Sequence, residues 1–389
     1  MKRVLTYWVM AVGLVIGPAT AAEPVKIGMV TTLSTKAGYL GEDIRDGFRL
    51  AMAQEGGMLG SVPVELLVDD DGRKPEKGKQ IADRFIKREG VQIMTGIVFS
   101  NVAMAVVPKV VRDGVFYISP NAGPSLLAGK GCHPNYFNVA WQNDNLHEAA
   151  GKYVNDNGFN NVYLLAPNYP AGKDALAGFK RYYQGAIVGE VYTKLGQADY
   201  AAEIASLRAA KPDAVFFFLP GGMGINFLKQ YSQAGLAQQI PVFGPAFSFD
   251  ERLLKAVGPA ALGVRNGSQW SHDLDNPANR AFVAAFRQAY GRTPTLYASQ
   301  GYDAARLIGS ALRAVDGDVS RQDDFRSALE KADFESVRGN FRFGPNHHPV
   351  QDIYIREVIE AADGTVTNKI VSKVFSDHSD AYVGECRMP

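Results

Sequence analysis

The sequence predicts an α/β fold of two lobes, each with a doubly wound parallel sheet. Apolar runs of strand length alternate with amphipathic helical segments from Val25 onward, as in a parallel sheet covered by helices on both faces. At 389 residues, 46% of them hydrophobic, the chain can bury more than one core. Residues 120–144, rich in Gly, Pro and Asn, interrupt the alternation and have the composition of a crossing between lobes.

The elements of the first run follow from apolar pattern and from helix-breaking residues. Gly56-Gly57 stops the first helix, Pro75 begins the second and Gly90 ends it. The strands and helices alternate as VKIGMVT, EDIRDGFRLAMAQEGG, PVELLVDDDG, PEKGKQIADRFIKREG, VQIMTGI, the helix after Asn101, and GVFYIS.

The same alternation resumes after residue 144 and defines a second lobe. Its helices and strands are LHEAAGKYVNDNG, NVYLLAP, AGKDALAGFKRYYQG, AIVGEVY, YAAEIASLRAAKP, DAVFFFL, GGMGINFLKQYSQAGL, IPVFGP and a strand within VGPAALGVRNGSQW. A second crossing is predicted near Ser271-His272. Beyond it come the helices NPANRAFVAAFRQAYG and LYASQGYDAARLIGSALRAV, then two β segments around a turn, GNFRFGPNHHPVQDIYIREV and GTVTNKIVSKVF. We expect a first lobe of residues 23–141 plus 271–337 and a second lobe of residues 142–270 plus 338–389.

The first 22 residues have the pattern of a secretory signal. Lys2-Arg3 precede an apolar run from Val4 to Ile16, and Pro18 to Ala22 has the small residues of a cleavage site. The apolar run is shorter than the roughly 20 residues that a membrane anchor needs. We expect cleavage after Ala21 or Ala22 and an exported protein.

Charge and cysteine content narrow the partners and the compartment. The 41 Lys and Arg residues balance 40 Asp and Glu residues, which gives no indication of nucleic acid binding. Export favours a disulfide between Cys132 and Cys386, the only two cysteines; two unpaired buried thiols are the alternative. The histidine and acidic patterns predict no metal site, and no cofactor is expected.

Two strand ends in the first lobe suggest an anion site. Ser100-Asn101 follow the strand VQIMTGI and head a helix, so that free backbone N–H groups and a hydroxyl face one place. Asn121, Ala122 and Gly123 follow the next strand, and ligands of open parallel sheets bind beyond such carboxyl ends. The alternative for Ser100-Asn101 is a plain helix N-cap.

Several segments together resemble the branched-chain amino acid (Leu/Ile/Val-binding) group of periplasmic binding proteins of ABC importers. They are KIGMVTTLST, GYLGEDIRDGFRLAMAQEGGMLG, VDDDGRKPEKGKQIADRFI, ISPNAGPSLL, PDAVFFFLPGGMGINFLKQYSQAGL and SQGYDAARLIGSAL. The resemblance covers nearly all of the mature chain. It implies a type I periplasmic-binding fold, with two doubly wound lobes joined by three hinge crossings that close on a ligand.

The resemblance also implies which residues contact the ligand. In the first lobe they are Tyr39, Leu40, Ser100, Asn101, Asn121, Ala122 and Gly123. In the second lobe they are Tyr169, Gly222, Met223 and Phe247. Tyr169 has the alternative of an exposed loop tyrosine.

The loop GPAFSF, residues 244–249, departs from the family pattern. Amino-acid-binding members hold the ligand ammonium with an acidic residue in this loop, and here none is present. A buried ammonium without an anionic partner costs several kcal/mol, so we expect a small carboxylate with an apolar or aromatic body, of benzoate or phenylpropanoate type. Asp250, just beyond the loop, remains open as a substitute acid.

The sequence thus predicts a periplasmic solute-binding component of an ABC transporter that captures a small carboxylate by lobe closure and delivers it to the permease subunits in the membrane. The alternatives are a branched-chain or other amino acid as ligand, a ligand-sensing receptor subunit of the same fold, and an exported enzyme. No nucleophile, base and orienting group assemble in the sequence, so an enzyme is not expected. A monomer is compatible with presentation to a permease.

Overall fold

The computed structural model describes residues 23–388, which form two sheets flanked by helices. The predicted signal sequence, residues 1–22, lies outside the described residues. The strands are β1 Val25–Thr31, β2 Met58–Leu59, β3 Val62–Asp70, β4 Ile93–Thr95, β5 Phe116–Ser119, β6 Tyr136–Asn138, β7 Asn161–Pro167, β8 Ala186–Thr193, β9 Ala214–Phe217, β10 Val242–Pro245, β11 Arg265–Ser268, β12 Phe341–Phe343, β13 Pro349–Glu360 and β14 Val366–His378.

The helices lie between the strands in the predicted alternation. They are α1 Gly38–Gln54, α2 Pro75–Lys87, α3 Ser100–Arg112, α4 Ser125–Ala128, α5 Asn145–Asp156, α6 Pro170–Tyr182, α7 Ala201–Ala210, α8 Gly222–Gln233, α9 Glu251–Val257, α10 Pro277–Tyr290, α11 Leu296–Ala314 and α12 Gln322–Lys331. No described helix is both long enough and apolar enough to span a bilayer.

The first sheet has six strands in the order β2-β3-β1-β4-β5-β6. Every pairing in it is parallel except β2–β3, an antiparallel hairpin that the sequence analysis missed. The hairpin is short because β2 has only two residues, which carry no readable alternation.

The second sheet has eight strands in the order β12-β13-β11-β10-β9-β7-β8, with β14 paired to β13. Strands β7 to β11 pair in parallel, whereas β13 pairs antiparallel with β11, β12 and β14. The predicted α/β class is therefore confirmed, with mixed sheets in which the parallel pairings dominate. The segment read as one β region around the histidines is two strands, β12 and β13, joined by a turn.

The chain passes between the two sheets at three places. It leaves the first sheet after β6, returns from β11 to α10 and α11, which pack with α1, and passes again from α12 to β12. Helices α1 and α11 approach closely at two glycines: a Cβ at Gly47 would lie 1.9 Å from the Ala298 carbonyl oxygen, and one at Gly301 would lie 2.0 Å from that of Ile44.

Three helices have no counterpart in the sequence analysis: the four-residue α4, which lies in the passage interpreted as a crossing between lobes, and the longer α9 and α12. Helix α9 is short, and its sequence signal is the N-cap Asp250, whose carboxylate accepts the N–H groups of Arg252 and Leu253. Helix α12 is strongly polar, with Phe325, Ala328 and Leu329 as its buried residues. Both helices depend on packing against neighbouring elements, which local pattern does not reveal.

Cys132 and Cys386 form a disulfide in the structure, with Cα atoms 5.6 Å apart. Cys132 lies between α4 and β6 of the first lobe, and Cys386 lies beyond β14 in the C-terminal segment. The bridge therefore ties the end of the chain to the first lobe.

Candidate functional site

A central cavity lies between the lobes, beyond the carboxyl ends of strands from both sheets. It is lined by Val98, Phe99, Ser100, Asn121, Ala122, Trp141, Asn143, His147, Tyr169, Ala171, Phe218, Pro220, Phe247 and Tyr297. Its volume is about 30 Å³, and all of its lining residues are buried. The lobes are thus closed tightly around it.

The N-terminus of α3 supplies hydrogen bond donors to this cavity. Phe99, not Ser100, is the N-cap residue, so the Ser100 hydroxyl does not cap the helix. Among the described residues, the backbone N–H groups of Ser100 and Asn101 have no acceptor. The first helix N–H with an acceptor is that of Val102, which donates to the Phe99 carbonyl oxygen. These free N–H groups and the positive end of the helix dipole favour an anion.

A second helix begins at the cavity from the opposite lobe. Tyr169 is the N-cap of α6, and the N–H of Ala171, one residue into the helix, has no acceptor among the described residues. Tyr169 and Ala171 both line the central cavity. Helix N-termini from both lobes therefore converge on one small space.

Asn143 fixes the Ser100 side chain. Its Nδ2 donates to Ser100 Oγ at 3.1 Å and to Asp174 Oδ2 at 2.9 Å, while its Oδ1 accepts the Gly123 N–H at 3.1 Å. Because Ser100 Oγ accepts from Asn143, its own proton is free to be donated into the cavity.

Aromatic rings form the rest of the wall. The Trp141 and Phe247 centroids are 4.3 Å apart, and those of Phe218 and Phe247 are 5.6 Å apart. Tyr169 is stacked with Phe218 at 6.2 Å, and the Tyr297 hydroxyl donates to the Phe247 carbonyl at 3.4 Å. Such a wall suits a flat apolar group.

The lining contains no Asp, Glu, Lys or Arg. Its titratable members are neutral near pH 7, since burial lowers the pKa of His147 to about 3 and raises the pKa of Tyr169 above its usual range. Two buried polar atoms, Asn121 Oδ1 and His147 Nδ1, have no hydrogen bond partner among the described residues. Charge on a ligand here is met by dipoles and hydroxyls rather than by a counter-ion.

The structure brings Ser100, Asn121, Ala122, Tyr169 and Phe247 together in the lining, as the sequence analysis predicts. Tyr169 is buried there, which excludes the alternative of an exposed loop tyrosine.

The other predicted contacts lie outside the lining. Asn101 and Gly123 are chain neighbours of lining residues. Leu40 belongs to the hydrophobic core, and Tyr39 turns its hydroxyl to Asp250 Oδ2 at 2.9 Å. Gly222 and Met223 line a different cavity. These four residues were placed by loop position alone, which does not tell which way each side chain points.

Nine lining residues were missed. Four of them lie within two residues of a predicted position, namely Val98, Phe99, Ala171 and Pro220, and five do not, namely Trp141, Asn143, His147, Phe218 and Tyr297. Trp141 and Asn143 lie in the Gly-, Pro- and Asn-rich crossing, so the composition of that passage was a usable signal. The other three come from segments read as regular strand or helix, and only tertiary packing turns them toward the cavity.

Asp250 does not substitute for the missing acid. Its carboxylate caps α9 and accepts the Tyr39 hydroxyl, and it is not among the residues that line the central cavity. No acidic side chain of the described residues therefore faces this space.

Residues 24–365 match the periplasmic binding protein family. A Leu/Ile/Val-binding protein homolog 6 from Brucella melitensis is 29% identical over 371 residues, which cover 92% of this chain and 94% of that protein.

Solved structures agree with this assignment. An ABC transporter solute-binding protein from R. palustris, in complex with benzoate, is 32% identical and superimposes with a TM-score of 0.88, covering 93% of this chain and 99% of its own. A solute-binding protein from Rhodopseudomonas palustris BisB5, in complex with 3,4-dihydroxybenzoic acid, is 30% identical, with a TM-score of 0.85 and coverage of 92% and 99%. The chain therefore belongs to the periplasmic binding protein family and is a solute-binding protein of an ABC transporter, with the type I periplasmic fold.

Proposed function

We propose that this protein captures a small aromatic carboxylate, of benzoate or phenylpropanoate type, between its lobes and delivers it to the membrane permease of its transporter. The observation that carries the proposal is the pairing, in one cavity, of free helix N-termini and the Ser100 hydroxyl with a wall of aromatic rings. The donors suit the carboxylate and the rings suit the aromatic body.

The absence of acidic side chains in the lining argues against an α-amino acid. A buried ammonium without a counter-ion costs several kcal/mol even after relaxation. The relatives named for Leu, Ile and Val make an amino acid the main competing ligand, but no lining residue offers the ammonium a charge. The solved relatives with benzoate and 3,4-dihydroxybenzoic acid support the aromatic acid.

Lobe movement is part of this function. All residues that line the central cavity are buried while the lobes stay as they are. The ligand therefore enters when the lobes separate and stabilises the closed state through contacts with both, since only differential affinity shifts such an equilibrium. Ser100 and Asn121 provide contacts from the first lobe, and Tyr169 and Phe247 from the second.

Calorimetric titration of the mature protein with a matched panel tests the proposal. Benzoate and 3-phenylpropanoate are the expected ligands, benzamide removes the charge, cyclohexanecarboxylate removes the ring, and leucine adds the ammonium. We expect benzoate or phenylpropanoate to bind at least tenfold more tightly than benzamide and leucine. Tight binding of leucine together with no response to either aromatic acid would overturn the proposal.

We further propose that the mature protein is a periplasmic monomer that begins after Ala21 or Ala22. The family implies export to the periplasm. Mass spectrometry of the secreted protein gives the cleavage position, and light scattering on a sizing column, with and without benzoate, gives the oligomeric state. A mass that retains the first 22 residues, or a stable dimer, would contradict this.

A further inference from the structure

A second cavity, here called the outer cavity, lies at the seam between the lobes next to the central one. Its volume is about 180 Å³, and its lining includes Lys36, Arg73, Gly196, Gly222 and Asn226. Pro220 lines both cavities. The outer cavity thus adjoins the proposed ligand site.

The outer cavity has two cations and no acidic lining residue. Among the described residues, neither Lys36 nor Arg73 forms a salt bridge, and neither side chain forms a hydrogen bond. Lys36 is exposed and Arg73 is half-buried, so both charges are available to a solute.

Both cations belong to the first lobe and lie against glycines of the second. A Cβ at Gly222 would lie 3.2 Å from the Lys36 Cβ, and a Cβ at Gly196 would lie 2.9 Å from Arg73 Nη2. Lobe closure therefore brings the Arg73 guanidinium and the base of the Lys36 side chain against the second lobe, whose residues in this lining include no carboxylate to balance the two charges. An anion at the seam would relieve this imbalance.

The backbone holds Arg73 at this position. Arg73 has a φ of 62°, in the left-handed region, and its N–H donates to Asp71 Oδ1 at 2.7 Å. Asp71 also accepts the Thr32 hydroxyl at 2.7 Å, which ties the turn to the end of β1.

The Arg73 guanidinium is separated from the central cavity by one side chain. It lies 5.7 Å from the centroid of the Phe99 ring, and Phe99 itself lines the central cavity. An anion held by Arg73 has only to pass this ring to reach the N-terminus of α3.

We propose that Arg73 and Lys36 form an outer anion subsite in which a small carboxylate is held by the first lobe before it moves inward to Ser100. The carboxylate chemistry of this subsite rests on the proposed function. Its role is to raise the rate of capture rather than to hold the ligand in the final complex.

Two measurements test the subsite. In the first, stopped-flow binding of benzoate is compared for the wild-type protein and the variant Arg73→Gln/Lys36→Gln. We expect the association rate to fall about fivefold at low ionic strength, as for two unit charges within about 8 Å in water. The dissociation rate should fall by a similar factor, because a subsite through which the ligand only passes changes both rates and leaves the affinity of the final complex unchanged. The difference should shrink to less than about twofold in 0.5 M salt because of screening.

Lys79→Gln is the matched control, since it removes an exposed cation of α2 that is paired with Glu76. Its association rate should stay within about 1.5-fold of wild type by the same Coulomb reasoning. Equal rates for the wild-type protein and the double variant, or an equal fall in the control, would overturn the proposal.

The second measurement does not depend on the ligand. Asn226→Cys places a thiol in the outer cavity, where an anionic and a cationic methanethiosulfonate reagent are compared, each normalised to its rate with a small free thiol. We expect the anionic reagent to react several-fold faster, and Arg73→Gln/Lys36→Gln to bring the ratio close to one. If the double variant leaves the ratio of anionic to cationic reaction rates unchanged, the subsite proposal is wrong, whether or not benzoate binds. Failure of benzoate to bind, with the ratio as expected, would instead count against the proposed ligand.

Discussion

The Tyr39 hydroxyl donates a hydrogen bond of 2.9 Å to Asp250 Oδ2 and so joins α1 of the first lobe to the N-cap of α9 in the second. Arg252, two residues on, adds ion pairs to Glu42 and Asp43 of α1. These contacts join the two lobes directly, so we expect them to favour the closed state in addition to any ligand.

Replacing Tyr39 by Phe removes the hydroxyl and keeps the ring. A hydrogen bond of this kind contributes about 1–1.5 kcal/mol, so we expect the affinity for benzoate to fall about tenfold. Titration calorimetry measures the change. Tyr302→Phe is the control, because its hydroxyl bonds to Gln54 within the first lobe. Equal affinities for Tyr39→Phe and the control would show that the contact does not assist closure.

The pH dependence of stability should differ between the wild-type protein and Asp250→Asn. Burial raises the pKa of Asp250 to about 7, with Glu251 and Asp43 adding to the rise. A carboxyl whose pKa is raised by folding contributes stability below about pH 4 and loses it as the pH rises to about 7. Asparagine keeps the cap without titrating, so it should gain about 2–4 kcal/mol relative to wild type between pH 4 and 7.5.

Thermal and urea unfolding of both proteins across this range measure the difference. Comparing the pair cancels the contribution of His147, whose lowered pKa makes the protein less stable as the pH falls below about 6.5. Parallel stability profiles would contradict the burial of a titrating carboxyl at position 250.

Ser100→Ala should weaken carboxylate binding by about 1.5–3 kcal/mol, the range for a hydrogen bond to a charged group. Benzamide, which has no charge, should lose less. Ser310→Ala is the control, since the Ser310 hydroxyl donates to the Leu307 carbonyl within α11 and is remote from the cavity lining. Calorimetric affinities that are equal in the two variants would remove Ser100 from the site.

Phe247→Leu should reduce the preference for aromatic over saturated acids. The substitution keeps an apolar side chain but removes the ring that lies 4.3 Å from Trp141. We expect the difference in binding free energy that favours benzoate over cyclohexanecarboxylate to become smaller by about 0.5–1.5 kcal/mol. Phe282→Leu in α10 should leave this ratio unchanged, and a ratio unchanged in both variants would count against ring stacking by Phe247.

Replacing both cysteines, Cys132→Ser with Cys386→Ser, should destabilise the protein without removing ligand binding. The two residues are 254 positions apart, so the bridge restricts a long loop of the unfolded chain. The expected loss is about 2–5 kcal/mol. Unfolding midpoints of the wild-type protein under oxidising and reducing conditions provide the comparison. An unchanged midpoint after full reduction would contradict a stabilising role.

Much of the fold follows from local pattern. Strands such as β1 and β7 are continuous apolar runs because helices cover both faces of their sheets, and helix α2 begins at Pro75 as the sequence predicts. The two-residue strand β2 and the short helix α9 were not predictable in this way. Strand β2 pairs with β3 and packs against α11, and α9 packs against α8 and β14. Both elements are too short for their own residues to show a periodic pattern.

Lining residues of the candidate site were predictable where they follow the end of a strand, as Ser100, Asn121, Tyr169 and Phe247 do. They were not predictable where a side chain must be turned by packing. His147 and Tyr297 line the central cavity from the first turns of α5 and α11. Tyr39 does not line it, and its hydroxyl donates to Asp250 instead.

The disulfide has a consequence for how the cleft widens. It joins a loop of the first lobe to the C-terminal segment that follows β14, so it adds one covalent connection to the three crossings of the main chain. A rotation that separates the lobes has to leave all of these connections intact. Their segments therefore move least, and a distance probe placed beside them would underestimate the opening angle.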